Sequence, residues 1–237
     1  MIYVGIDDTD TKDSPGTNKL ARALVGELRP DYETVVAVRH QLLFDRRIPY
    51  TRKNSSASIL LRTRAGGSVE DLAARIRGLM RERFVEGSDP GLCVTERVGR
   101  EVTEFGRRCQ RDVVSQQEAR RLAARQALHL EGLGGTEDGV IGALAAVGLA
   151  GGGNDGRVVQ IGNWPDDLSG PQDIALLRAR GVAEVRCHQT GWVISEGRVD
   201  VGKRLRPSYR GGRVVLYVAP APEDAPADYL WRAVRLA

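Results

Sequence analysis

The segment Gly139–Leu149 restricts the fold of this chain more than any other, because it is apolar yet carries almost no side-chain volume. A helix of small residues leaves its backbone uncovered, so it gains stability only when another layer packs directly against it. We therefore predict a helix here that lies very close to a β-sheet. The segment is too short and too rich in glycine to span a bilayer.

Three aspartates lie at the end of the first apolar segment. Ile2–Ile6 predicts a buried strand, and Asp7, Asp8 and Asp10 follow it directly. Carboxylates this close repel one another, so they are tolerated on a solvated turn or around a divalent cation. The spacing alone leaves two interpretations open. One is an acidic turn that caps the next helix, and the other is a magnesium site in which two carboxylates face the cation while the third holds water or a backbone amide.

A helix start follows the aspartates. Ser14 and Pro15 are typical of a helix N-cap and first turn, which places Thr17 inside the first turn. The positive end of the helix dipole favours a phosphate there, with Lys12 and Lys19 nearby. The alternative is an ordinary threonine at the start of a helix.

A second polar loop, residues 52–56, precedes an apolar strand. Its first residues, Arg52, Lys53 and Asn54, combine positive charge with an amide. Such a loop either clamps the oxygens of a triphosphate or forms a solvated turn.

The composition is that of a soluble globular protein, with 41% hydrophobic and 28% charged residues. The sequence shows neither a secretory signal nor a membrane-spanning segment, so we expect a cytoplasmic protein without a membrane partner. The net charge of +4 comes almost wholly from arginines spread along the chain. That spread favours solvated faces over nucleic-acid contact, which remains the alternative. The three cysteines form no CxxC pair, so we expect no zinc site.

The apolar periodicity predicts strands and helices in alternation, which indicates an α/β (α+β) fold. We predict two domains, residues 1–110 and 111–237. Ser115 and Glu118 form a predicted capping box inside a helical pattern over residues 104–130. We also predict a strand at 192–195 and a short helix at the C-terminal end.

Several motifs, in this order, resemble the archaeal tRNA agmatinylcytidine synthetases. The N-terminal one is Gly5-Ile6-Asp7-Asp8-Thr9-Asp10, followed by Thr17. The next is Ile48-Pro49-Tyr50-Thr51-Arg52-x-Asn54, which is similar to the family's IPxKTRGN stretch. Arg107-Arg108 with Val113-Val114-Ser115, and then Gly139 to Gly148 (GVIGALAAVG), complete the resemblance, which covers roughly the first 150 residues.

The resemblance implies a kinase-like α/β domain followed by a ferredoxin-like α+β domain. Family members use ATP and Mg²⁺ to phosphorylate a cytosine carbonyl oxygen, which agmatine then displaces. By position, the resemblance implies magnesium binding by Asp7, Asp8 and Asp10, and it matches Thr17 to the threonine that becomes phosphorylated. It implies catalytic roles for Asp7, Asp8, Thr17 and Arg52. We also predict nucleotide binding by a further set of residues: Thr9, Asp10, Lys12, Lys53 and Asn54.

The departures from the family concern the substrate. A glycine-rich loop that is basic in the family is acidic around Thr136-Glu137-Asp138. Gly135, Glu137 and Asp138 could therefore receive a cationic amine, although two solvated acids are the alternative. The sequence also stops where the family continues into an oligonucleotide-binding barrel and a zinc ribbon, the parts that hold tRNA.

We therefore expect an ATP- and Mg²⁺-dependent enzyme that phosphorylates a carbonyl or amide oxygen of a small-molecule acceptor, with or without ligation of an amine. A tRNA-modifying synthetase that works with a separate tRNA-binding subunit is the second hypothesis. A nucleotide-binding module without catalytic activity is the third.

Overall fold

The structure, a computed structural model, describes residues 1–48, 53–64, 67–222 and 230–236. Within these ranges the chain forms a single mixed sheet of twelve strands with six helices. This architecture confirms the predicted α/β class. The predicted functional residue Arg52 lies outside the described residues, as do Pro49, Tyr50 and Thr51 of the same motif.

The helices and strands alternate through most of the chain. The helices are α1 (Thr17–Leu28), α2 (Val69–Glu82), α3 (Arg100–Cys109), α4 (Gln116–Arg125), α5 (Gly139–Gly152) and α6 (Ile174–Ala179). The strands are β1 (Ile2–Asp7), β2 (Tyr32–Gln41), β3 (Ser55–Thr63), β4 (Gly91–Thr95), β5 (His129–Gly132), β6 (Arg157–Ile161), β7 (Pro171–Asp173), β8 (Glu184–Cys187), β9 (Arg198–Asp200), β10 (Ser208–Arg210), β11 (Arg213–Pro220) and β12 (Trp231–Ala233).

The strands follow the order β5-β4-β1-β3-β2-β6-β10-β11-β12-β9-β7, with β8 beside β11. Most neighbouring pairs are antiparallel, whereas β8/β11 and β9/β12 are parallel. Helix α1 contacts β3 and α2 contacts β4, while α5 contacts β1, β4 and β3 and is in turn contacted by α3 and α4. The predicted division near residue 110 stays a prediction, and elements from both sides of that position share this sheet.

Helix α5 packs against β1 with backbone almost in contact with backbone. A methyl group added at Gly5 would lie 2.0 Å from the carbonyl oxygen of Ala143, far inside van der Waals contact. Nearly every residue of α5 is buried, including Val140, Leu144 and Val147. The predicted close approach of this helix to a sheet is therefore confirmed, and it places the first turn of α5 over the end of β1.

Three local predictions were wrong. The helical pattern over 104–130 is interrupted after α3, and it ends in strand β5, because residues 129–132 pair with the edge of β4. The predicted Ser115–Glu118 capping box is present, and it starts α4 as a separate helix. The region 192–195 forms only an isolated bridge at Val193. The C-terminal segment is strand β12, since β11 offers it a free edge.

No helix among the described residues has both the length and the apolar character that crossing a membrane requires.

We expect Gly5→Ala to destabilise the protein by about 2–4 kcal/mol, because the new methyl group must push α5 away from β1. Gly26→Ala is the matched control. Gly26 is exposed in α1 with no atom near its missing side chain, so this change should stabilise by about 0.5–1 kcal/mol through helix propensity. Urea denaturation measures both changes, and a Gly5→Ala protein as stable as the wild type would contradict the packing described above.

Candidate functional site

A cavity of about 350 Å³ opens where β1 ends and α5 begins. Most of the functional residues predicted from the sequence converge on it. Those that line it are Asp7, Asp8, Asp10, Thr17, Lys53, Asn54 and Asp138. Thr9, Lys12, Gly135 and Glu137 lie outside its lining. The cavity therefore joins the acid motif, the first turn of α1 and the polar loop before β3.

Asp7 is the last residue of β1, and its side chain lies directly under α5. A methyl group at Gly142 would fall 1.7 Å from Asp7 Oδ2, so only glycine at that position leaves room for the carboxylate. Burial, followed by the nearby charge of Asp8, raises the pKa of Asp7 to about 8. Because Gly142 has no side chain, α5 leaves the space in which the Asp7 carboxylate lies.

Asp8 adopts a left-handed backbone conformation, with φ of 49°. Aspartate tolerates this conformation better than most residues, at an energetic cost of about 1–2 kcal/mol. The turn is held by the amide of Asp89, which donates to the Asp8 carbonyl oxygen at 3.1 Å. Burial and the charges of Asp89, Asp10 and Asp138 raise the pKa of Asp8 to about 7.

The raised pKa values of Asp7 and Asp8 both reflect burial and the lack of a described positive charge beside these carboxylates. Asp7 and Asp8 line the cavity, and neither makes an ion pair with a described basic side chain. Carboxylates in such surroundings take up protons unless a cation neutralises them. A cation bound beside the two carboxylates would lower both pKa values.

Asp10 has a different role from its two neighbours. Its Oδ1 accepts hydrogen bonds from the Thr17 amide at 3.2 Å and from the Thr17 hydroxyl at 3.0 Å. The buried Thr9 hydroxyl donates to Thr17 Oγ1 at 3.2 Å. Helix α1 begins at Thr17, so the predicted start of this helix at Ser14 and Pro15 was wrong. Ser14 Oγ instead accepts from the amide of Thr11 within the preceding turn. Asp10 thus caps α1 and also contacts the hydroxyl of Thr17.

The polar loop places Lys53 on the cavity wall, while Asn54 holds the loop itself. Asn54 Nδ2 donates to the Leu43 carbonyl oxygen at 2.8 Å, and the Asn54 carbonyl accepts from the amide of Leu42. The amide side chain of Asn54 is thus engaged by backbone, and nucleotide binding by Lys53 and Asn54 stays a prediction.

The predicted amine-binding loop is held by other charges of the protein. Asp89 accepts from the amide and hydroxyl of Thr136, and a methyl group at Gly135 would collide with it. Glu137 forms an ion pair with Arg120. Asp138 lines the cavity and precedes α5 without capping it, so it is the acid of this loop that a substrate can reach. The roles of Gly135 and Glu137 in substrate binding stay predictions.

The structure adds residues to the site that the sequence analysis did not select. Asp89 joins the turn at Asp8 to the acidic loop, and Ser115 and Gln116 line the cavity from the start of α4. Cys109 also lines it, and burial raises the pKa of its thiol to about 12, so the thiol stays protonated. A lone Asp in a turn carries no signal in the sequence for this role, whereas Ser115 belongs to a motif of the resemblance that was selected without a site role.

A buried Ser-His-Asp arrangement lies apart from the cavity. His40 Nε2 is 2.8 Å from Ser58 Oγ, and His40 Nδ1 is 2.7 Å from Asp155 Oδ2. Both His40 and Ser58 are fully buried, so a substrate has no access to the hydroxyl. This network joins β2 and β3 to the loop before β6 and has a structural role.

The described residues contain no group of three or more His, Cys, Asp or Glu side chains arranged to hold a metal ion by themselves. Magnesium takes only one or two carboxylates when substrate phosphates and water complete its shell. Asp7 and Asp8 fit that requirement, while Asp10 is engaged with Thr17. The three-aspartate ligand set stays a prediction.

Comparison with known proteins yields matches among solved structures alone. No family model matches the chain, and no curated protein matches it. Among solved structures, apo TiaS (tRNAIle2 agmatidine synthetase) matches with a TM-score of 0.54 at 25% identity, over 62% of this chain and 35% of that one. The TiaS–tRNA(Ile2)–ATP complex matches at 26% identity with the same TM-score, over 62% and 36%. A tRNA fluorescent labeling enzyme matches at 26%, again with a TM-score of 0.54.

These matches confirm the resemblance identified in the sequence, as a partial similarity of fold. The chain spans about a third of the length of the solved proteins that it matches. What those complexes contain, tRNA and ATP, is a property of TiaS.

We expect the free energy of unfolding to fall by about 1–3 kcal/mol as the pH rises from 4 to 8 without divalent cations. The raised pKa values of Asp7 and Asp8 mean that the folded state keeps protons which the unfolded chain releases near pH 4. Stability from this source is therefore present at low pH and is lost as the pH rises through the folded pKa values.

Asp7→Asn should flatten this pH dependence, and the exposed Asp13→Asn on the same loop should not. Urea denaturation at a series of pH values measures the effect. An Asp7→Asn profile parallel to that of the wild type from pH 4 to 8 would contradict the described environment of the two carboxylates.

Proposed function

We propose that this chain is an ATP-dependent, ligase-like enzyme that transfers a phosphoryl group to a carbonyl or amide oxygen of its acceptor. The observation that carries the proposal is the cavity in which Asp7 and Asp8, both with raised pKa, face the first turn of α1. Carboxylates that need a cation, with Lys53 on the same cavity wall, match the requirements of a triphosphate.

Asp7 and Asp8 would hold a magnesium ion. When bound, that ion would neutralise charge on the phosphates of ATP. Lys53 lies on the same wall and would contact the phosphates as a point charge. Lys12 and Thr9, which lie outside the cavity lining, and Arg52, in the loop before Lys53, complete the proposed nucleotide site. Once phosphorylated, the acceptor oxygen can leave as phosphate when an amine attacks the carbon that carries it.

Thr17 would receive or position a phosphoryl group. Its hydroxyl donates to Asp10, whose carboxylate could accept the hydroxyl proton, and the residue lines the cavity. The amine would enter on the side of Asp138, where Gln116 Nε2 lies 3.4 Å from Asp138 Oδ1. A carboxylate there would favour a cationic amine such as agmatine.

The nature of the acceptor separates two versions of this function. A small-molecule acceptor agrees with arginines that are mostly spread along the surface and paired with acidic side chains, as Arg62 is with Glu33 and Arg213 with Glu184. An RNA acceptor, with tRNA bound by a separate subunit, is favoured by the similarity to a synthetase whose complex contains tRNA and ATP. Both versions share the ATP site.

Asp7→Asn and Asp8→Asn should each lower ATP turnover at least a hundredfold, because each removes a negative charge that the proposed cation requires. Asp13→Asn, with the same change in formal charge on the exposed part of the loop, should retain full turnover. The assay measures ADP and phosphate release with tRNA or candidate small carbonyl acceptors and agmatine. Unchanged turnover in both site variants would contradict the proposal, and ATP binding without any turnover would favour a binding module.

Intact-mass spectrometry tests the role of Thr17. After incubation with ATP and magnesium, the wild type should gain the mass of one phosphoryl group, and Thr17→Val should gain none. Thr17→Ser keeps the hydroxyl and should retain the modification. A wild-type protein of unchanged mass would leave Thr17 with a positioning role alone.

A further inference from the structure

Two arginines lie directly opposite each other on neighbouring strands beside the cavity. Arg39 of β2 and Arg157 of β6 are paired residues in the antiparallel register. Side chains in such positions point to the same face with their Cβ atoms about 4.5–5.5 Å apart, and like charges there are destabilising. The fold therefore keeps an unfavourable charge pair in one place.

Neither arginine has an acidic partner within the described part of the chain. Arg39 donates to the side-chain oxygen of Gln41 at 2.8 Å, and Arg157 Nε is buried without a hydrogen-bond partner. Both residues are half-buried. Burial lowers the pKa of both guanidinium groups, and in Arg157 the charges of Arg39, Arg235 and Arg206 lower the pKa further. These are the conditions in which a bound anion is stabilising.

Three more arginines lie near Arg157 and add to the positive charge there. Arg206 makes a two-pronged ion pair with Asp166, which also contacts Arg22 and Arg204. One carboxylate therefore serves three arginines, which leaves the neighbourhood of Arg157 strongly positive. Arg22 of α1 is far in the sequence from Arg204 and Arg206 of the loop before β10, and the fold brings the two elements together around Asp166.

A second cavity, of about 270 Å³, connects Arg39 to the site described above. Its walls include Arg39, Gly16 and Asn18 at the start of α1. Four residues, Asp10, Thr17, Lys53 and Ser55, line both cavities. A group held by Arg39 would therefore lie next to the aspartate cavity but on the other side of Thr17.

We infer that Arg39 and Arg157 form a phosphate-binding site, separate from the ATP site, that holds a phosphate group of the acceptor. Two guanidinium groups on one face can bind a phosphate in the bidentate manner that arginine favours. The assignment to the acceptor rests on the proposed function, whereas the phosphate site itself does not. The phosphate belongs either to a free nucleotide or to the backbone of an RNA chain, and the chemistry recognised is the same.

The first experiment uses inorganic phosphate as the probe. Phosphate should raise the melting temperature of the wild type by about 2–4 °C over chloride of equal ionic strength. The double variant Arg39→Gln/Arg157→Gln should lose this shift, and its own melting temperature should not fall, since it removes a repulsion. The control is Arg62→Gln/Arg213→Gln, which removes two exposed arginines that have acidic partners. Equal shifts in the wild type and the Arg39/Arg157 variant would overturn the inference.

The second experiment identifies the source of the phosphate with CMP and a labelled single-stranded RNA as probes. For a free nucleotide, CMP binding should weaken at least tenfold in the double variant. For an RNA backbone, the slope of log affinity against log salt should fall by roughly 1 for the lost phosphate contacts. Either result supports the site, and unchanged binding of both probes would overturn it.

ATP binding distinguishes this inference from the proposed function. The double variant should bind ATP as the wild type does, and a parallel loss of ATP binding would assign the arginines to the ATP site and overturn the separate site. If Asp7→Asn and Asp8→Asn retain turnover while the double variant loses phosphate, the proposed function fails and the phosphate site stands.

Discussion

The close packing of α5 against β1 is the constraint on which the rest of the site depends. The two backbones approach until a single methyl group at Gly5 would meet the Ala143 carbonyl oxygen at 2.0 Å. At that distance the first turn of α5 lies over the end of β1, and Gly142 leaves the space that the Asp7 carboxylate fills. A side chain at position 142 would fill the space of the Asp7 carboxylate. Larger residues elsewhere on this face of α5 would hold the helix farther from the sheet. The same small residues therefore serve the packing and the site.

Several charged side chains in and beside the site have no partner of opposite charge among the described residues. On the aspartate side, burial and mutual repulsion raise the pKa of Asp7 and Asp8. Beside it, Arg39 and Arg157 stand opposite each other without a described acidic partner. Elsewhere the chain pairs its charges readily, as in Arg77 with Glu131. Unpaired charges of opposite sign in one part of the molecule are costly for stability, and they are consistent with a site that binds a cation on one side and phosphate on the other.

The sequence predicted correctly those features that depend only on residues close together in the chain. The Ser115–Glu118 capping box and the small-residue helix depend on neighbouring residues, and the structure confirms both. Strand β5 was predicted as helix, because its strand character comes from pairing with β4. Strand β12 likewise exists through the edge of β11. In both cases tertiary hydrogen bonding decides between conformations that the local pattern does not separate.

The sequence by itself determined the chemistry available at the end of β1. Three aspartates in four positions, followed by a helix, are properties of consecutive residues. The possibility that one carboxylate holds a backbone amide, the role Asp10 has, also follows from them. Only the tertiary structure decided how Asp10 is set apart from Asp7 and Asp8, because that depends on α5 and on the Asp89 turn. It also decided which of the scattered arginines act together. Arg39 and Arg157 are more than a hundred positions apart, and only the β2–β6 register places their charges side by side.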